Sequence, residues 1–198
     1  MFDHFSIVFT GTGLLTAVAA PLAITFFLWV IAKSAPPAAR IPGISAGVGG
    51  FMLVILFGLA ADATIQLFEL GKGAGEVARI ISMDSSYAWP AIKTIIPGAL
   101  SAIGVLLALA LLTLGRSTAA LALAILFMWA AGPLADLLKA AVLGIPFDPG
   151  RGFFGISFFL IIATIYLLFS NRAAFTYGLS SARRMEARWR AGQGEEGR

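Results

Sequence analysis

Residues 121–144, LALAILFMWAAGPLADLLKAAVLG, decide the fold. The stretch opens as an uncharged apolar run that suits a bilayer interior. Gly132-Pro133 then interrupts it, and Asp136 and Lys139 follow one helical turn apart. Proline lacks the N–H that continues a helical ladder, so a bend is expected here. Ionisable groups in a spanning helix are costly, and they face a partner, a cavity or the membrane boundary. The stretch therefore reads as an interrupted membrane span, and the chain as an all-α polytopic helical bundle.

Composition supports this reading. Of 198 residues, 59% are hydrophobic and 12% are charged, with a mean hydropathy of +0.92. A water-soluble domain carries roughly 25% charged residues. Half that share leaves too little polar surface to cover a fold in water, so the excess apolar surface must face lipid. The net charge of +4 does not indicate nucleic acid, because the basic residues cluster beside apolar runs. That clustering is the signature of membrane topology.

The chain has no cysteine and one histidine, His4. Disulfides, zinc thiolate sites, iron–sulfur ligation and bis-histidine haem ligation within one chain are thereby excluded. No cofactor is expected. There is no P-loop, HExxH, His-based triad or glycine-rich dinucleotide turn. Ser45, Ser101 and Ser157 have no base at a fixed spacing. The expected function is non-enzymatic.

Working outward from the interrupted stretch, five spans are expected at 6–31, 43–65, 91–114, 119–142 and 153–169. The first contains Pro21, with Thr12 and Thr16 available to its freed carbonyl. It reads as a retained span, since its start lacks the positive charge of a secretory signal. Pro36, Pro37 and Pro42 make the following segment a loop. The second span opens with GISAGVGG, where Gly43, Gly47 and Gly50 leave little side-chain bulk. Small residues near four-residue spacing let helices approach closely, so these three are candidate helix-packing positions. Simple flexibility at a helix start is the alternative.

Asp62, Gln66 and Glu69 fall on one helical face at the far end of that span. Residues 66–90 read as an outer amphipathic segment, loosened at Gly71, Gly73 and Gly75, with a second short interfacial helix over 76–83. Tyr87 and Trp89 suit the headgroup belt. Spans three and four join through the tight turn at 115–118 as an antiparallel hairpin. Residues 171–198 form a basic cytoplasmic tail. In it Phe175, Leu179, Ala182, Met185 and Trp189 recur near helical spacing among Arg183, Arg184, Arg188 and Arg190. Arg183, Arg184, Arg188, Trp189 and Arg190 are the candidate contacts to an anionic leaflet. The final residues, AGQGEEGR, are expected to lack structure.

Lys33, Arg40, Arg116 and the tail arginines fall on one side of a five-span arrangement. Most acids, including Asp62, Glu69, Asp136 and Asp148, fall on the other. The positive-inside rule then predicts a multi-pass inner-membrane protein with its N-terminus outside and its C-terminus in the cytoplasm. Counting from the cytoplasmic starts of spans two and four puts Asp62 and Asp136 roughly 28 Å away, at the outer boundary of a core roughly 30 Å thick. Pairing of Lys139 with Asp62 or Asp136 would stabilise them there. Asp62, Glu69, Asp136 and Lys139 are thus candidates either for helix pairing or for a pathway. Residues 13–23 resemble 98–108, and the pattern around 55–61 resembles 125–131, which suggests duplicated parallel hairpins.

Two functional expectations follow. One is a non-catalytic subunit of a larger membrane assembly, such as a secretion, conjugation or energy-transducing complex. The other is a small oligomeric transporter or channel with ionisable residues at its outer mouth. The expected partners are the lipid bilayer and other membrane subunits or further copies of the chain, with no nucleic acid.

Overall fold

The computed structural model describes residues 11–147 and 149–196, and all regular structure among them is helical. Helix α1 is Gly11–Ser34 and α2 is Phe51–Met83. A 3-10 turn, Ser85–Tyr87, leads into α3, Ala88–Leu114. Then come α4 (Thr118–Ala131), α5 (Pro133–Leu143), α6 (Arg151–Phe169), α7 (Asn171–Tyr177) and α8 (Ser180–Glu196). Three helical stretches are long and apolar enough to cross a membrane: Phe51–Met83, Ser85–Leu114 and Gly152–Phe169. Helices α4 and α5, bent by 42° at their junction, make a fourth if they cross as one. The part of α1 with described side chains, Val18–Ser34, is a shorter apolar helix. His4, Asp3, the 6–10 part of the first expected span, Asp148 and the last two residues lie outside the described residues, as do the side chains of Thr12 and Thr16.

Helix α3 is the centre of the bundle, with α2 on one side and α4 and α5 on the other. Its small residues permit that position. A Cβ at Gly104 would lie 2.9 Å from the Ala131 Cβ, so only glycine allows α3 and α4 to come this close. Around this seam Ile55, Leu56, Val105, Leu112, Leu121, Met128 and Leu160 are fully buried. Helix α6 touches the bundle along one edge. Phe154, Phe158, Ile161, Ile165 and Phe169 on its other faces are exposed, as lipid contact requires.

Several expectations are corrected. Gly43, Gly47 and Gly50 are not in a helix; they sit in the 35–50 loop at φ 83°, 86° and 59°. Glycine is there because the chain needs left-handed backbone, and closely spaced turn glycines look like a packing motif in sequence. The close approaches made by glycine are at Gly104 and at Gly58 under Phe159. Secondly, residues 76–83 form no separate interfacial helix but the end of α2. Helix α2 runs unbroken through Gly71, Gly73 and Gly75 because α3 packs beside it, and Gly73 faces Ile95. At 33 residues it is roughly 50 Å long and exceeds a hydrocarbon core.

Thirdly, residues 171–179 are not a surface tail. Ala173 to Tyr177 are buried, and the 35–50 loop closes over them. The Ala38 and Ala39 amides donate to the Thr176 and Phe175 carbonyls at 3.2 and 3.1 Å, and the Gly47 amide donates to Thr176 Oγ1 at 2.9 Å. Ala182 is fully buried against the same cluster, so the apolar stripe begins by packing on protein. Helix α8 then continues to Glu196 through residues expected to be irregular. Finally, the two proposed hairpins differ. The 35–50 loop joins α1 to α2, whereas three residues join α3 to α4, and only the second hairpin is broken.

A cavity at the broken helix

The break begins with Pro133, which occupies the first position of α5 and has no N–H to offer Trp129. Gly132 keeps its own bond to the Met128 carbonyl at 3.1 Å, but the Ala135 and Asp136 amides both turn to the Gly132 carbonyl, at 3.0 and 3.4 Å. The Ala131 carbonyl is thereby freed from the ladder. Ser101 Oγ on α3 donates to it. A carbonyl without a partner in an apolar interior costs several kcal/mol, of order 2–7, so this hydroxyl offsets part of the cost of the break.

Beside the break is a cavity of about 340 Å³. Its walls are Asp62, Gln66 and Glu69 of α2, Thr94, Pro97 and Ser101 of α3, and Gly132, Asp136 and Lys139 at and beyond the break. Apolar lining comes from Ile65, Leu70, Ile95 and Ile156, the last being the sole contribution of α6. A second, smaller space of about 30 Å³ adjoins it. Asp62, Gly132 and Ile156 line both. The inner space is otherwise apolar, bounded by Val105, Met128, Phe159 and Leu160, and a Cβ at Gly58 would lie 2.5 Å from Phe159 Cζ.

All four charged candidates, Asp62, Glu69, Asp136 and Lys139, thus line one cavity, although they come from two different regions of the sequence. Asp62 is the inner member and half-buried, while Glu69, Asp136 and Lys139 are exposed. The expected pairing of Lys139 with either aspartate is not formed. Asp62 instead accepts from Gln66 Nε2 at 3.2 Å. Glu69 meets Lys72 at 3.8 Å on the exposed side of α2. Asp62 has a nearer partner, Gln66, one turn along its own helix.

The depth expectation also changes. It assumed a helix starting at Gly43, whereas α2 starts at Phe51. Asp62 is therefore about 11 residues, roughly 17 Å, from the start of its helix rather than roughly 28 Å. Asp136 is in the first turn of α5, where the positive end of the helix dipole favours a carboxylate.

The other predicted sites lie at the opposite end. Gly43, Gly47 and Gly50 shape the loop over α7. Arg183 lies beside Gly178, and Arg184 bonds the Ser180 carbonyl within α8. Arg190 pairs with Glu186 at 2.6 Å, Arg188 is exposed and Trp189 is half-buried. The contacts of three groups at this end carry no sequence signal. Arg116 donates to the Ala32 and Ala35 carbonyls at 3.1 and 3.3 Å, which closes the C-terminus of α1. Partial burial lowers the pKa of its guanidinium. Tyr177 donates to the Leu112 carbonyl at 2.7 Å, and burial pushes its phenol up. Arg172 lies across the Gly49-Gly50 backbone.

Comparison with known protein families, with curated proteins and with solved structures finds no match to this chain.

Proposed function

We propose that this chain is a small transport-type membrane protein whose working site is the cavity at the broken helix. One observation carries the reading: a discontinuous helix, with its freed carbonyl satisfied by a neighbouring serine, forms the wall of a space lined by Asp62, Glu69, Asp136 and Lys139. Breaks in spanning helices are tolerated where they line a cavity, and transport proteins place their binding sites at such breaks. In this reading α1, α2, α3, the α4–α5 pair and α6 make five spans of the inner membrane. The N-terminus is outside, the C-terminus is cytoplasmic, and the arginine face of α8 meets the anionic leaflet.

The reading requires that water reach the cavity from one side. The chain has no cysteine, so a single Ala135→Cys variant reports on the cavity without a background. A membrane-impermeant thiol reagent applied to intact cells is expected to modify it, while Ala124→Cys in the buried core stays unmodified. If both variants stay unmodified from both membrane faces, the cavity is not a water-accessible site and the reading fails.

A second reading, a subunit of a larger membrane assembly, is favoured by the thin wall on the α6 side, where Ile156 stands alone. A partner helix placed there would complete the enclosure. Extraction in a mild detergent with a C-terminal tag separates the two. Stoichiometric co-purifying proteins support the subunit role, and a homogeneous particle of this chain alone supports the transport role.

A further inference from the structure

We infer that the cavity takes a small organic cation, its ammonium head held by Asp62 and Asp136 and its apolar body resting on Ile65, Ile95 and Ile156. The inference rests on the reading of this cavity as the working site and names its ligand class.

The hydrogen-bonding inventory of the walls comes first. Ser101 gives its proton to the Ala131 carbonyl, and Thr94 gives its proton to the Ala91 carbonyl at 2.7 Å. Gln66 directs one amide N–H at Asp62. These donors are already engaged with protein acceptors. What the side chains still offer a ligand is mostly oxygen: carboxylate oxygens of Asp62, Asp136 and Glu69, and hydroxyl lone pairs of Ser101 and Thr94. The second N–H of Gln66 and the exposed Lys139 ammonium are the side-chain donors left. A ligand complementary to such walls is rich in N–H donors and positively charged.

Size and shape then separate an organic cation from a bare metal ion. A dehydrated Mg²⁺ or Ca²⁺ needs six or more oxygens at about 2.0–2.6 Å. Among the described residues, no three His, Cys, Asp or Glu side chains come together closely enough for that. The space of about 340 Å³ is roughly ten times one water's share of liquid volume and falls within the range of small-molecule pockets. Its apolar walls have nothing to offer a hydrated metal ion, yet they suit the hydrocarbon part of an amine. The competing ligand is an anion, drawn by Lys139 and the N-terminus of α5. Asp136 already occupies that first turn, and its own charge opposes a second anion there.

The test uses Ala135→Cys with two methanethiosulfonate reagents of similar size, one carrying trimethylammonium and one carrying sulfonate. Each rate is divided by the reagent's rate with a free thiol in solution. A cation-selective cavity is expected to favour the trimethylammonium reagent by on the order of tenfold. That preference is expected to shrink in Asp62→Asn and in Asp136→Asn backgrounds that elute as the parent does on sizing. Butylammonium is expected to slow the modification, tetramethylammonium, which has no N–H to donate, to slow it less, and butyrate not at all. Equal rates for the two reagents, or faster sulfonate, overturn the cation inference while leaving a water-open cavity intact. Protection by neither ammonium overturns the organic ligand. Failure of both reagents to react overturns the underlying reading instead.

Discussion

The two ends of this bundle treat polar groups in opposite ways. Where α1 stops and α7 begins, polar side chains are turned onto backbone. Arg116 closes the end of α1, Tyr177 reaches the last turn of α3, and Thr176 joins the 35–50 loop to α7. At the helix break, by contrast, the hydroxyls and Gln66 satisfy protein acceptors, and the carboxylates keep oxygens facing open space. The first end uses polarity to fasten elements together. The second turns carboxylates toward a cavity, with Asp62 held by Gln66 and Glu69 beside Lys72. On the proposed reading those oxygens are where a ligand binds, so the carboxylates, not the glycine pattern, mark the site.

The sharpest way to break the comparison is at Tyr177, the largest side chain among those fully buried. Tyr177→Ala removes a core aromatic and is expected to cost about 3–5 kcal/mol, so that the protein fails to accumulate. Tyr177→Phe keeps the ring and loses only the bond to Leu112, about 1 kcal/mol in thermal or denaturant unfolding in detergent. The pH dependence has a definite sign. The folded phenol pKa is raised, so its contribution is complete below the ordinary phenol value of about 10 and is lost as pH rises above it. The stability gap between parent and Tyr177→Phe is expected to narrow above that pH. A gap that stays constant to strongly alkaline pH would show that the folded phenol's pKa is not raised. Neither variant, where it folds, should alter the charge preference at Ala135→Cys.

Gly58 tests the inner wall of the cavity with a smaller effect. Gly58→Ala places a methyl against the Phe159 ring and is expected to destabilise by about 1–3 kcal/mol. Phe159→Leu makes room, so the double variant should recover much of that loss in a double-mutant cycle. Additive losses would mean that the two residues do not share the contact seen here.

How much of this was legible in the sequence depends on the kind of residue. Asp62, Glu69, Asp136 and Lys139 stand out because a charge in an apolar helix is rare, and Gly132-Pro133 because proline breaks a ladder whatever surrounds it. The helical class follows from apolar runs of spanning length. Ser101, Gly58 and Tyr177 were not legible, because their importance comes from a neighbour about 30, 100 or 65 residues away in the chain, and one sequence does not record which helices meet. Gly43, Gly47 and Gly50 were misread for a different reason: close packing and positive φ both select glycine. Helix α7 was misread because flanking arginines suggested a membrane surface, whereas Phe175 and Tyr177 are held inside by a loop contact. The 35–50 loop holds that end shut, and its prolines announced only that it was a loop.

The smallest effect is expected at Asp84, in the turn between α2 and α3, where a polar side chain serves only its own backbone. Its Oδ1 accepts from the Ser86 amide at 2.8 Å, and that bond holds the carboxylate below its ordinary pKa. A depressed carboxylate contributes fully above the unfolded value of about 3.9 and loses its contribution as pH falls through the lower folded value. The Ser86 amide resonance is therefore expected to titrate with a midpoint below that ordinary value. Asp84→Asn keeps an acceptor oxygen and removes the titration, so its amide shift should stay flat over the same range. A midpoint at the ordinary carboxylate value would mean that the turn is held by its backbone alone. In either case the cavity should be unaffected, because Asp84 fastens a turn and lines no part of the site. A change in the reagent preference at Ala135→Cys on replacing Asp84 would join the two kinds of polar group that this fold keeps apart.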